Sequence, residues 1–201
     1  MAPLAPSPIF RRMTPFEHLT VLVSIVIGMG ITHLLTTVHE LVQVRTRVRF
    51  YWLPVLWFVL LFISLVEWWW AIFALRTTVQ WNFFYFLFLL MSPVTLYLAA
   101  AFVLPDDSER GAEMIDLRHY YYENSGWLFA MLAISPALDG VRRGITAGSF
   151  ADKGSWSNLV SALLLASLGR VKRPWYHALI TLIVASLFLS FIVSSAMELK
   201  G

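Results

Sequence analysis

Residues 51–75 read YWLPVLWFVLLFISLVEWWWAIFAL, and a single charge, Glu67, interrupts them. A helix rises about 1.5 Å per residue, so a run of this length crosses the roughly 30 Å hydrocarbon core of a bilayer. A helix on the surface of a soluble protein keeps a polar face; this stretch has none. Lipid is therefore the solvent from which the reading starts. Comparable runs cover Leu19–Val38, Trp81–Leu104 and Trp175 to about Met197. Tyr120–Leu138 and Trp156–Leu168 are weaker, and the second is short enough for a re-entrant helix. The predicted fold is an all-α integral membrane protein, a bundle of about six transmembrane helices, with four or five as the alternatives. Residues 1–15, with Pro3, Pro6 and Pro8, read as a disordered N-terminal tail. Residues 16–201 read as a single polytopic domain.

Composition agrees with this. Hydrophobic residues make up 59% of the 201 and charged residues 13%. Mean hydropathy is +0.70. A soluble domain carries about 25% charged residues, so this chain lacks the charge to cover a surface in water. Cysteine is absent, which excludes disulfides, thiolate metal sites and cysteine nucleophiles. The pI of 9.4 comes from arginines in the gaps between apolar runs. That distribution fits membrane topology rather than a nucleic-acid partner.

Tryptophans mark the ends of the runs, as interfacial anchors do. Trp52, Trp81, Trp156 and Trp175 open segments, and Trp68, Trp69 and Trp70 close the second. With six spans, loops 1–2, 3–4 and 5–6 share one side with Arg45, Arg47, Arg49, Arg110, Arg118, Arg170, Lys172 and Arg173. The other side is nearly as basic. The short basic hairpins place loops 1–2, 3–4 and 5–6 in the cytoplasm as an expectation.

Several stretches also resemble a widespread family of small, uncharacterised multi-pass proteins of the bacterial inner membrane. They are Ser24–Leu35 (SIVIGMGITHLL), the basic loop into Tyr51-Trp52, the tryptophan-rich end of segment two, Pro93–Ala100 (PVTLYLAA) closing at Pro105, and Asp116–Tyr121 (DLRHYY). The resemblance covers roughly residues 13–145. It implies a bacterial inner (cytoplasmic) membrane and carries over no catalytic residue.

Polar side chains inside apolar runs are the candidate site residues, because hydrocarbon cannot satisfy them. On segment one, Glu17, Ser24, Gly28, Thr32, Thr36, His39 and Gln43 share one broad face at about 100° per residue. His33 and Glu40 lie at its edge. Leu34, Val38, Leu41 and Ile27 lie opposite. This face is expected to look into protein or water, with Ser24, Gly28 and Gly30 permitting close helix packing and Thr32, His33, Thr36, His39 and Glu40 lining a polar path. In segment two Glu67 is the costly residue, serving proton handling or a neutral hydrogen bond. Asp139 with Arg142 and Arg143 has the spacing of a structural ion pair.

The functional expectation is a small polytopic membrane protein that passes protons, ions or a small solute along polar faces of helices one and two. It reads as a conduit rather than an enzyme, needs no cofactor, and is expected to be a homo-oligomer in the lipid bilayer. One alternative is a redox subunit with haem or a metal ligated from His33, His39, His119 and His177. The other is a non-catalytic assembly or lipid-organising protein. His39-Glu40-Leu41-Val42-Gln43 misses the zinc-protease pattern at its last position, and no phosphate-binding glycine loop or nucleophile elbow is present.

Overall fold

The structure, a computed structural model, describes residues 14–77, 82–105 and 114–198. The described chain holds six α-helices: α1 Pro15–Gln43, α2 Trp52–Ala71, α3 Phe83–Val103, α4 Leu117–Ala147, α5 Lys153–Leu168 and α6 Pro174–Glu198. Each coincides with one apolar run of the sequence. Most of the tail, with Trp81 and the acidic stretch 106–113, lies outside the described residues.

Local chemistry sets the ends. Thr14 and Glu17 form a capping box over Pro15: Thr14 Oγ1 accepts from the Glu17 N–H at 3.2 Å and Glu17 Oε2 from the Thr14 N–H at 2.6 Å. Asn82 caps α3 by accepting from the Tyr85 N–H at 2.8 Å. Asp116 accepts from the N–H groups of Arg118 and His119 at 2.9 and 3.1 Å and starts α4. Gly148, at φ 66°, ends α4 in the left-handed region, where only glycine is unstrained. Asp152 then caps α5.

Two residues of loop 1–2 pair in parallel with two just before α4: Val48 with Ile115 and Arg49 with Asp116. The pairing holds the end of α1 beside the start of α4, so α2 and α3 run out and back between those points. Arg49 Nη1 also donates to Asp116 Oδ2 at 3.4 Å. The same end of the molecule holds Tyr51, whose hydroxyl bonds that of Tyr122 at 3.0 Å.

One apolar core runs through the bundle. Leu19, Val23, Ile27, Leu34 and Leu41 of α1 meet Leu53, Leu61 and Leu65 of α2 and Leu96, Ala99 and Val103 of α3. Further along, α4 packs most extensively on α5 and α3. Trp57 of α2 stands edge-on to Phe129 of α4 at 4.9 Å. Among the described residues α1, α2 and α3 are long and apolar enough to cross a membrane, and the apolar stretch of α6, Pro174–Ser190, is shorter. Trp52, Trp70, Trp156 and Trp175 are exposed near helix ends, where interfacial anchors sit. The chain is a helical membrane protein.

Helix α1 corrects one expectation. Its packed side is Leu19, Val23, Ile27, Gly30, Leu34, Thr37 and Leu41, nearly opposite the polar face. Thr32, Thr36, His39 and Gln43 are exposed. A Cβ on Gly28 would meet nothing within 4 Å, so Gly28 makes no helix contact among the described residues; Ser24 is only half-buried. Gly30 does pack, its Cβ position lying 3.2 Å from Leu65 Cδ1 and 3.7 Å from Tyr97 Cα. The physical reason is shape. Branched aliphatic side chains interdigitate with α2 and α3 more completely than short hydroxyls do, and the chain turns that side to its own helices.

Candidate functional site

A cavity of about 310 Å³ opens among α2, α4, α5 and α6. Ser64 and Glu67 reach it from α2, one turn apart on one face. Ser64 Oγ donates to the Leu60 carbonyl at 2.8 Å, as hydroxyls in apolar helices commonly do. From α4 come Ser135, Pro136 and Asp139; from α5 come Ser157, Asn158 and Ser161. Pro136 has no N–H for the carbonyl one turn back, so its ring interrupts the helix ladder at the cavity wall. Trp57, Leu132, Leu165 and Leu187 supply apolar wall.

Asp139 is the organising charge. Its Oδ1 accepts from Arg142 Nε at 3.0 Å, and its Oδ2 from Arg143 Nε at 2.8 Å and Asn158 Nδ2 at 2.7 Å. The arginines lie at i+3 and i+4 on α4, and Asn158 brings in α5. Charge-assisted bonds of this kind are the strong ones. Ser155 Oγ adds a bond to the Gly140 carbonyl at 2.7 Å, and Leu159 lies over Gly140 where a larger residue would collide. The α4–α5 hairpin is thereby closed tightly around the Asp139 cluster.

Glu67 faces this cluster without a bond of its own. Among the described residues it has no hydrogen-bond or ion-pair partner, and the charge of Asp139 lies within electrostatic reach of it. One cavity thus holds an unpaired carboxylic group, a neutralised carboxylate, a guanidinium, an amide and four hydroxyls. Such a set can accept and release a proton and can hydrogen-bond a small polar solute. Counting Glu67, Asp139, Arg142 and Arg143, the cluster is neutral when Glu67 is ionised and carries one positive charge when it is protonated.

A second polar group holds the opposite end. His177 is fully buried at 0% exposure. Its Nε2 lies 2.7 Å from the Val171 carbonyl and its Nδ1 2.9 Å from the Tyr121 hydroxyl. A carbonyl only accepts, so Nε2 carries the hydrogen and Nδ1 accepts from Tyr121. Trp57 Nε1 donates to Thr181 Oγ1 at 3.1 Å in the same interior. These bonds tie α2, α4 and α6 together and leave the imidazole no open nitrogen.

The other histidines are dispersed. His39 is exposed and bonds Gln43 at 2.8 Å, and His119 is exposed beside Glu123 at 3.4 Å. His33 is half-buried, and its buried Nε2 has no partner among the described residues. Glu40 is half-buried on the same helix. Among the described residues no three His, Asp or Glu side chains converge as a metal site would need.

Sequence reasoning singled out Glu67, Asp139, Arg142 and Arg143 but not their meeting place. It missed Ser135, Ser157, Asn158 and Ser161, and Tyr121, Trp57 and Thr181. A signal existed on α5: positions 157, 158 and 161 fall on one face of a mostly apolar helix. Compared with family models, curated proteins and solved structures, the chain matches none.

Proposed function

We propose that this protein carries a proton, alone or with a small polar solute, through the cavity between Glu67 and Asp139. The observation that supports this is the unpartnered Glu67 carboxyl facing the Asp139–Arg143–Asn158 cluster. An acid in apolar surroundings is stable when protonated, and ionises when water or a polar solute enters. Protonation also changes the cluster's net charge by one, which links solute binding to proton binding. The path therefore uses α2 with α4 and α5, not the polar face of α1. On this reading all six helices span a bacterial inner membrane, with the loops after α1, α3 and α5 in the cytoplasm.

Proteoliposomes with an entrapped pH-sensitive dye test it. An imposed pH gradient is expected to collapse faster with wild-type protein than in empty vesicles. Glu67→Gln is expected to abolish that difference at unchanged Tm. Wild-type flux in a folded Glu67→Gln variant refutes the reading.

An assembly role is the competing reading, and the uncovered polar face of α1 favours it. Hydrocarbon leaves Thr32 and Thr36 unsatisfied, whereas an identical helix could approach along Ser24, Gly28 and Thr32. A homo-oligomer built on α1 is compatible with either role. Cross-linking from cysteines placed at 28 and 32 tests it against placement at 27 and 34, where no cross-link between copies is expected.

A further inference from the structure

A third feature lies at the other end of the molecule, where α1 passes into α2. A groove of about 450 Å³ separates the last turns of α1 from the first turns of α2, within the roughly 300–1,000 Å³ usual for ligand sites. Its walls include Val38, Leu41 and Val42 on one side and Val55, Phe58 and Val59 on the other. Among the described residues the one charged side chain that lines it is Arg45.

The charges beside the groove are unevenly committed. Arg49 pairs with Asp116 at 3.4 Å. Arg45 has only a 3.5 Å contact with the Val42 carbonyl, at the limit of a hydrogen bond. Arg47 is exposed, and among the described residues no side-chain partner is present for it. One loosely held guanidinium, Arg45, thus lines a slot that is otherwise hydrocarbon, and a second, Arg47, is exposed two residues on in the same short turn. Guanidinium forks match phosphate oxygens.

We propose that this groove binds an anionic phospholipid, with an acyl chain between α1 and α2 and the phosphate on Arg45 and Arg47. Charge complementarity selects the head group. A lipid with a net negative charge gains from both arginines, whereas a zwitterionic lipid brings its own cation against them. Basic pockets between membrane helices bind anionic head groups on this principle.

The test uses full-length protein in neutral detergent, titrated with dioleoyl phosphatidylglycerol or dioleoyl phosphatidylcholine and read by native mass spectrometry. Phosphatidylglycerol is expected to bind more tightly. Each arginine near an anionic lipid contributes about fivefold, so Arg45→Gln with Arg47→Gln is expected to weaken phosphatidylglycerol by about 30-fold and leave phosphatidylcholine unchanged. Arg49→Gln, whose arginine is already paired, is expected to stay within about twofold. Val59→Trp, which fills the slot, is expected to weaken both lipids. Thermal unfolding of each variant identifies any that fails to fold. In that case salt titration of the wild type decides: loss of phosphatidylglycerol selectivity at high ionic strength upholds the proposal, and persistence overturns it. Equal binding of the two lipids, or full selectivity in a folded double variant, also overturns it. So does a change in self-association alone, which would make the groove a contact between copies. If deleting the acidic stretch 106–113 first creates the selectivity, that stretch is the natural occupant and the proposal fails.

Discussion

Three glycines test which surfaces of the bundle are closed. A Cβ on Gly140 would sit 2.9 Å from Leu159 Cγ, 3.0 Å from its Cδ2 and 3.2 Å from its backbone nitrogen. No side-chain rotation moves the backbone nitrogen away, so α4 and α5 must part. Overpacking of this kind costs about 1–3 kcal/mol. Parting also lengthens the Ser155–Gly140 bond of 2.7 Å, a loss of about 1 kcal/mol. Alanine returns up to about 1 kcal/mol of helix propensity. Gly140→Ala should therefore destabilise by about 1–3 kcal/mol. At Gly30 the nearest atom is a leucine methyl at 3.2 Å, which can rotate, and the change should stay within about 0.5 kcal/mol of zero. At Gly28 nothing lies within 4 Å, so alanine should be neutral or stabilising by up to about 1 kcal/mol. Thermal unfolding of the monomeric fraction in detergent reads the series, at about 2–4 °C per kcal/mol for a chain of this size. A Gly140→Ala protein as stable as wild type refutes the close α4–α5 approach. A destabilised monomeric Gly28→Ala protein refutes the outward placement of α1's polar face.

Tyr121→Phe removes the donor to His177 Nδ1 and should destabilise by about 1–3 kcal/mol, the cost of a buried unsatisfied group; Thr181→Val should act similarly on Trp57, and chemical denaturation of both with the double variant measures their coupling. Asp139→Ala leaves two guanidiniums and Asn158 without their shared acceptor; with the Asp139 side chain 33% exposed, a loss of about 1–2 kcal/mol is expected, read as a Tm shift. Glu67→Gln should unfold at the wild-type temperature whereas Glu67→Lys, a new charge in low dielectric, should express poorly; equal behaviour in a melting assay would show that Glu67 stands in water. The His119 backbone N–H, with smaller contributions from the Arg118 N–H and the Arg49 charge, holds the Asp116 carboxyl below its ordinary value. Its stabilisation is thus complete above about pH 4, the unfolded value, and is lost as pH falls through the lower folded value; hydrogen exchange at the start of α4 should rise there in wild type and not in Asp116→Asn.

The helices were legible because each is an apolar run bounded by charges, caps or proline. The faces were harder to read. In water the apolar side of a helix is the buried side, but in hydrocarbon both sides can be satisfied and periodicity alone does not say which one meets the rest of the chain. Segment one shows this: the aliphatic side packs within the chain, and Thr32, which was expected at a helix contact, is exposed. The cavity was hidden for a different reason. Glu67, Asp139 and Asn158 belong to three helices, and their meeting depends on the close α4–α5 approach at Gly140, which no local pattern announces. Glu67 itself stood out because a lone carboxylate in a mostly apolar run of 25 residues needs a reason.

The α4–α5 hairpin joins partners of unequal length. Helix α4 has 31 residues and spans about 46 Å, whereas α5 has 16 and spans about 24 Å. Set in a hydrocarbon layer of roughly 30 Å, α5 falls short by roughly 6 Å while α4 overshoots. On the six-span reading proposed above, lipid beside α5 must thin or tilt to meet it, at fractions of a kcal/mol per Å, while α4 must lean or emerge. Membrane thickness therefore acts on the hairpin that holds Asp139 and Asn158. Short-chain lipids relieve the strain on α5 and long-chain lipids increase it, so acyl-chain length becomes a lever on the cavity that leaves every side chain in place.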